Sequence, residues 1–195
     1  MIQEEVISLF KKTGALLEGH FLYTSGRHGK QFLQAARVLQ YPQHAEQLCR
    51  ALAERFADDQ IDLVCGPATG GIVLAYEVAR CLGCRAAYTE KDEDGNMVLR
   101  RGFLLRAGER VLVVEDITTT GGSVKKSIRH LQSRGAEVVG VGVLIDRSGG
   151  EAQFGCRLEP LARIAMESYQ PENCPLCAAG VPLMDADLIT VQQGS

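Results

Sequence analysis

Val111-Leu112-Val113-Val114-Glu115-Asp116-Ile117-Thr118-Thr119-Thr120-Gly121-Gly122-Ser123 reads as a buried strand, two acids, and a threonine- and glycine-rich turn that enters a helix. An unbroken apolar run such as Val111 to Val114 belongs to a strand covered by helices on both faces. The turn gathers backbone N–H groups, hydroxyls and a helix N-terminus, a combination suited to a dianionic phosphate monoester. Gly121 and Gly122 let the backbone approach such a group closely. Glu115 and Asp116, at the end of the strand, can accept hydrogen bonds from vicinal ribose hydroxyls, on the edge where open α/β sheets bind ligands. The spacing is not that of a dinucleotide fingerprint, and the chain has no G-x-x-x-x-G-K-[ST] run. A helix cap and a solvated strand end would account for the hydroxyls and the acids separately. They would not account for consecutive residues that all fit one ligand.

Outward from this segment the pattern alternates. Before it, helices are expected from Pro42 to about Phe56 and from about Gly71 to Leu82, with strands at Ile61 to Cys65 and Arg85 to Thr89; after it come a helix from about Gly122 to Arg134 and a strand at Val138 to Ile145. That order implies an α/β fold, a parallel central sheet with crossover helices on both faces. Met97 to Phe103 reads as strand-like. Nearer the N-terminus, Ile2, Val6, Leu9 and Phe10 mark a short amphipathic helix stopped by Gly14. Phe21-Leu22-Tyr23 and Gln31-Phe32-Leu33 flank Ser25-Gly26-Arg27-His28-Gly29, which predicts a β-hairpin set before the main sheet. The part after residue 150 is short and less regular, and no independent function is expected of it.

A length of 195 residues fits one domain with small appendages, spanning 1–195. A formal charge of −3 leaves no field to hold a polyanion, so nucleic acid is not an expected partner and any phosphate must be recognised locally. The apolar runs are too short to span a bilayer and the first residues are acidic rather than basic, so no membrane is expected and the cytoplasm is the expected compartment.

Gly66-Pro67-Ala68-Thr69-Gly70-Gly71-Ile72 is a second glycine-rich turn from strand to helix, suited to the pyrophosphate half of a ligand whose 5′-phosphate occupies the first turn, or else a plain tight turn punctuated by Pro67. Arg147 ends a strand near the same sheet edge; its fork can bind a carboxylate bidentately, or it can pair with Asp146 or another acid. The seven cysteines suit buried reduced thiols better than a disulfide framework. Cys81/Cys84 and Cys174/Cys177 have C-x-x-C spacing, but the pairs stand farther apart in sequence than the ligands of a compact shared zinc site usually do.

The 111–123 segment resembles the phosphoribosyl pyrophosphate (PRPP) motif of the type I phosphoribosyltransferases. Along nearly its whole length the chain is similar to the orotate-specific members of that family. The likeness also rests on Gly19-His20-Phe21 with Ser25-Gly26-Arg27, on the 66–72 turn, on Leu99-Arg100-Arg101-Gly102-Phe103, and on Asp146-Arg147-Ser148. The resemblance implies hood elements over 1–40, an α/β core over 41–150 and a C-terminal completion over 151–195. It implies Mg²⁺-dependent transfer of the 5-phosphoribosyl group from PRPP to orotate, giving orotidine 5′-monophosphate and pyrophosphate in pyrimidine (UMP) biosynthesis, by a homodimer. PRPP is then expected on Glu115, Asp116, Ile117, Thr118, Thr119, Thr120, Gly121, Gly122 and Ser123, and on Thr69, Gly70 and Gly71. Orotate is expected on Arg147, Thr119, Phe32 and Lys30, although Phe32 also suits plain core packing. Glu115, Asp116, Lys91 and Arg100 are the catalytic candidates, with Mg²⁺ held through PRPP and the two acids nearby.

The chain departs from the family pattern in two places. Many members carry a lysine just before the Ser-Gly-Arg of the hairpin, where this chain has Thr24, with Lys30 nearby. The family's mobile loop usually presents several basic residues to pyrophosphate, including a lysine and a histidine. The corresponding Thr89-Glu90-Lys91-Asp92-Glu93-Asp94-Gly95-Asn96 keeps only Lys91, which leaves Arg100 or Arg101 to supply the missing cation. Two alternatives stay open at this stage: transfer to a purine base, against which Arg147 argues, and a PRPP-sensing regulator without turnover, to which the acidic loop lends weight.

Overall fold

The computed structural model describes residues 1–23 and 25–185. Among the described residues, ten strands form two sheets, accompanied by six α-helices. The main sheet contains β3 (Leu63–Pro67), β4 (Arg85–Lys91), β5 (Met97–Leu99), β6 (Arg110–Thr118), β7 (Glu137–Asp146) and β8 (Arg157–Arg163), in the order β5-β4-β3-β6-β7-β8. Every neighbour pair is parallel except β4 with β5. From β3 the strand order runs one way to β4 and the other way to β6, so it reverses between β3 and β6. Ligands bind outside the carboxyl ends of the strands at such a switch point.

Side chains alternate across the sheet. Val64, Leu112, Val114 and Leu144 point into a core shared with α1 (Gln3–Lys12), α3 (Pro42–Glu54) and α4 (Gly70–Leu82). Leu63, Cys65, Val111, Val113 and Val143 point into the opposite core, beneath α5 (Gly122–Ser133). Both faces of β6 are therefore covered, as its apolar run requires. The short helix α2 (Ala36–Leu39) links the hairpin to α3.

The smaller sheet has the order β10-β1-β2-β9. Its centre is the antiparallel hairpin of β1 (Leu16–Leu22) and β2 (His28–Leu33), and its edges are β9 (Ser168–Tyr169) and β10 (Met184–Asp185). Before β10 the chain makes a 3₁₀ turn at Pro171–Asn173 and the one-turn helix α6 (Pro175–Ala178).

The structure corrects several sequence expectations. β6 does not stop at Val114: Glu115, Ile117 and Thr118 still pair with Val143, Ile145 and Asp146, so the two acids lie within the strand. The strand expected over 97–103 ends at Leu99, because Arg101 and Gly102 both adopt positive φ and turn the chain. Residues after 150 are more regular than their sequence suggests. β8 completes the main sheet, carrying Pro160 on an edge strand where a missing N–H is tolerated, while β9 and β10 complete the hood. The hood is thus built from both ends of the chain rather than from residues 1–40 alone.

Candidate functional site

The two glycine-rich turns converge at the switch point. Gly66 and Gly71 are in backbone contact: a β-carbon on Gly66 would lie 2.2 Å from the Gly71 carbonyl oxygen, and one on Gly71 would lie 2.9 Å from Gly66 Cα. The turn can close only with glycine at both positions, so α4 starts directly above the end of β3. The Ala68–Thr69 peptide bond within it is cis. Across the switch point Gly70 abuts the carboxylate of Asp116. Gly70 thereby faces an acid of β6, with Thr69 and Gly71 on either side of it in the turn.

At the end of β6, Glu115, Ile117, Thr118, Thr119, Thr120, Gly121, Gly122 and Ser123 line a cavity of about 180 Å³. Gly121 sits at the N-terminus of α5 with φ of 70°, and a β-carbon there would lie 2.5 Å from the Phe154 ring, so both conformation and space require glycine. The first amides of α5 have no intrahelical partner and open toward this cavity. Thr118 Oγ1 is buried and has no hydrogen-bond partner among the described residues.

Glu115 and Asp116 are held by their own backbone: the Asp116 amide donates to Glu115 Oε1 at 3.2 Å, and the Ile117 amide donates to Asp116 Oδ1 at 2.7 Å. Burial, reinforced by the neighbouring Asp116 carboxylate, pushes Glu115 up to about 8. Burial also raises Asp116, against the pull of the Ile117 amide. Two carboxyls crowded out of water in this way are ready to gain from any positive or hydrogen-bond-donating ligand. They offer hard oxygen donors of the kind Mg²⁺ prefers, beside a cavity shaped for a phosphate, so the residues fit a magnesium-bound phosphate ligand.

Arg147 follows β7, its amide donating to the Thr118 carbonyl at 2.8 Å, which sets it beside the phosphate turn. It does not pair with Asp146, whose carboxylate accepts from the Ser148 amide at 2.8 Å and faces Arg163 at 3.5 Å. Arg147 Nε is buried without a hydrogen-bond partner among the described residues. Burial pulls this guanidinium below its usual pKa, while nearby Tyr23 opposes that shift. The Tyr23 hydroxyl donates to the Gln31 carbonyl and packs over Gly29, so Tyr23 crosses the hairpin to β2 while lying near enough to Arg147 to influence its charge. Sequence reasoning missed this tyrosine because nothing in its local spacing marks a residue that works across two sheets.

On β2, Lys30 lies 3.8 Å from Glu167, and Phe32 packs against Phe21 with the Arg37 guanidinium over its ring. Thr24, where many family members carry lysine, lies outside the described residues. The stretch expected as the mobile loop forms the ends of β4 and β5 and a tight turn: the Asn96 amide donates to Asp92 Oδ1 at 2.7 Å, and Lys126 Nζ donates to the Gly95 carbonyl at 2.6 Å. Lys91 is the last residue of β4, two positions past Thr89, which pairs with Pro67 on the ligand-binding edge. Arg101 forks onto Glu90 with contacts of 2.8 and 2.7 Å. Exposed Arg100 makes no such pair among the described residues.

The two C-x-x-C pairs are far apart in the fold. Cys81 and Cys84 flank the C-terminal end of α4 and pack against the main core. Cys174 and Cys177 lie under the hood beside His20 and His28. No helix among the described residues is long and apolar enough to cross a membrane.

Comparison with known proteins agrees with this geometry. Residues 35–153 match the phosphoribosyl transferase domain family. An orotate phosphoribosyltransferase of Desulforamulus reducens is 54% identical over 182 residues, covering 93% of this chain and 95% of the relative. One from Thermus thermophilus is 49% identical over 179 residues, covering 92% and 98%. The crystal structure of orotate phosphoribosyltransferase from Aeropyrum pernix superposes with a TM-score of 0.69 at 32% identity, covering 82% of this chain and 93% of that one. An adenine phosphoribosyltransferase from Rhodothermus marinus, at 22% identity and a TM-score of 0.63, shares the fold. With a mostly parallel sheet that reverses order between two glycine-rich turns, and with relatives alike over nearly their full length, this chain belongs to the orotate phosphoribosyltransferase family.

Proposed function

We propose that the chain transfers the 5-phosphoribosyl group of PRPP to N1 of orotate, releasing pyrophosphate and forming orotidine 5′-monophosphate. The observation that carries this reading is the contact of Gly70 with Asp116, which sets two glycine-rich turns on either side of the half-buried acids Glu115 and Asp116. A ribose held by those carboxylates would present its 5′-phosphate to one turn and its pyrophosphate to the other.

The chain's residues divide the work as follows. Thr119, Thr120, Gly121, Gly122 and Ser123 hold the 5′-phosphate with amides and hydroxyls, and the unpartnered Thr118 hydroxyl supplies a further donor. Glu115 and Asp116 accept from the ribose hydroxyls and stabilise the positive charge that develops on the ribose as the C1–O bond breaks. Thr69, Gly70 and Gly71, at the start of α4, receive the pyrophosphate, with Lys91 and Arg100 approaching from the β4–β5 hairpin. Arg147 binds the orotate carboxylate, while Thr119 and the β2 residues Lys30 and Phe32, joined to Arg147 through Tyr23, border the pyrimidine. No protein nucleophile is required, so catalysis is positioning plus electrostatics. Mg²⁺, bound with PRPP near Glu115 and Asp116, would neutralise charge on the leaving pyrophosphate. A homodimer is part of the same reading: Val73 and Tyr76, one turn apart on α4 and exposed by 47% and 68%, offer an apolar face to a second copy.

The test is the loss of orotate ultraviolet absorbance on mixing the protein with PRPP, Mg²⁺ and orotate, with hypoxanthine, adenine and uracil assayed in parallel for pyrophosphate release. Turnover on orotate alone supports the proposal. Turnover only on another base, or PRPP binding without turnover on any base, overturns it.

A further inference from the structure

We propose that His20, His28, Cys174 and Cys177 form a structural zinc site that clamps the C-terminal segment beneath the β1–β2 hairpin. Their four ligand atoms lie within 4.8 Å of one another. His20 Nε2 is 3.2 Å from His28 Nδ1, which is itself 3.2 Å from Cys177 Sγ. Cys174 Sγ and Cys177 Sγ lie 3.4 and 3.7 Å from His20 Nε2. A tetrahedral zinc with ordinary bond lengths separates two nitrogens by about 3.3 Å and a nitrogen from a sulfur by about 3.6 Å. The separations from His20 Nε2 lie close to that polyhedron, and the His28–Cys177 pair, at 3.2 Å, would open slightly to admit the ion.

Hydrogen bonding explains the cluster poorly. The His20 Nδ1–H donates to the Val181 carbonyl at 2.8 Å, which fixes the tautomer and leaves the Nε2 lone pair facing the other three groups. His28 Nδ1 faces that same lone pair, and the two thiols are only weak donors. A cation satisfies all four groups together, and the Val181 carbonyl then serves as the outer partner that zinc-bound histidines regularly have. Four protein ligands leave no open position, which marks the site as structural rather than catalytic. His20, His28 and Cys174 are buried at 1, 6 and 3% exposure, while Cys177 reaches the surface and gives the ion a way in.

The topology shows what the clamp would do. His20 lies on β1, His28 opens β2, and the Cys174-Pro175-Leu176-Cys177 turn lies on and just before α6. Cys177 and His20 are 157 residues apart, so metal binding ties the chain's two ends into one hood. The edge strands β9 and β10 have two residues each, too few to hold this segment by ladder bonds alone. His28 stands two positions before Lys30 on the strand assigned to the acceptor, so the ion would fix the strand without touching substrate.

The experiment is metal analysis of untagged protein purified without chelator, under reducing conditions. About one zinc per chain is expected in wild type and in the control Cys81→Ser/Cys84→Ser, and roughly ten-fold less or lower in Cys177→Ser and His28→Asn. Cys177→Ser alters an exposed residue, and its far-ultraviolet circular dichroism and PRPP binding establish that the main fold persists. Replacing zinc with Co²⁺ should give the intense visible bands of tetrahedral cobalt and a sulfur-to-cobalt charge-transfer band, both lost in Cys177→Ser. Wild-type protein that neither carries zinc nor takes up Co²⁺ in this form overturns the proposal. So does undiminished zinc in Cys177→Ser, or a Cys174–Cys177 disulfide in freshly purified protein. None of these readouts depends on turnover, so the zinc site and the transferase reading can fail separately.

Discussion

A β-carbon placed on Gly70 would lie 2.5 Å from Asp116 Oδ2, so the turn after β3 and the acid on β6 share a single van der Waals surface. Gly70→Ala should push the turn away from the carboxylate and misplace the pyrophosphate relative to the ribose. The expected result is a loss of kcat/KM for PRPP of roughly a hundred-fold, with a stability change of about 1–2 kcal/mol, read by steady-state kinetics and urea unfolding. Unchanged PRPP kinetics would show that the contact does not govern the site.

Glu115 gives a pH signature. Its folded pKa of about 8 lies above the ordinary 4.5, so the ligand-free protein is most stable when this group is protonated. That contribution is fully present below about pH 4.5 and is lost as pH rises through about 8. Ribose hydroxyls need the carboxylate as acceptor. Binding Mg²⁺–PRPP at pH 7 should therefore release about one proton, and affinity should rise between pH 6 and 8. Titration calorimetry in buffers of different ionisation enthalpy measures the proton. Glu115→Gln should abolish its release and flatten the stability profile in the same window.

Thr118 offers a trade between stability and binding. Its side-chain oxygen is buried without a partner, and an unsatisfied hydroxyl costs about 1–3 kcal/mol. Thr118→Val keeps the shape and removes that cost, so the melting temperature of the ligand-free protein should rise. The PRPP KM should rise roughly ten-fold through the lost donor. A variant that melts lower, with PRPP affinity intact, would assign the hydroxyl a structural role.

The main sheet and the glycine-rich turn into α5 were legible because one contiguous segment carries both the buried-strand pattern and the residues that line the cavity at its end. What the sequence did not reveal depends on contacts distant along the chain. β8 carries Pro160, which is tolerable only because the strand lies at the edge, a fact that follows from topology rather than composition. Cys174-Pro175-Leu176-Cys177 is an isolated pair until the chain returns beneath the hairpin and meets His20 and His28. Tyr23 is an ordinary hairpin residue until the chain segment after β7 brings the Arg147 charge near it.

The adjacent arginines of the β5 turn can be told apart. Arg101 already forks onto Glu90, while exposed Arg100 makes no ion pair or hydrogen bond through its side chain among the described residues. Arg100→Ala should lower kcat roughly ten-fold or more if it meets the leaving pyrophosphate. Arg101→Ala should change kcat by less than about two-fold, since an exposed ion pair contributes at most about 1 kcal/mol. Equal effects from both substitutions, or the larger effect from Arg101, would reverse the assignment.

Arg147 tests acceptor selection most directly. Its buried Nε has no partner among the described residues, and Asp146, the nearest acid in sequence, is occupied elsewhere, so the fork is free for a planar carboxylate. Arg147→Ala should depress kcat/KM for orotate by roughly 30- to 150-fold, the kinetic equivalent of about 2–3 kcal/mol for a charge-assisted pair. The PRPP Kd, measured by calorimetry, should move by less than about two-fold, because the proposed function assigns that ligand to the 117–123 turn. Lysine cannot reproduce two parallel N–H bonds, so Arg147→Lys should recover only a small part of the loss. Uracil supplies the internal control: it lacks the carboxylate, so whatever slow turnover it supports should be nearly insensitive to Arg147→Ala. If uracil turnover fell in parallel with orotate turnover, Arg147 would be holding the fold or the ring rather than the carboxylate.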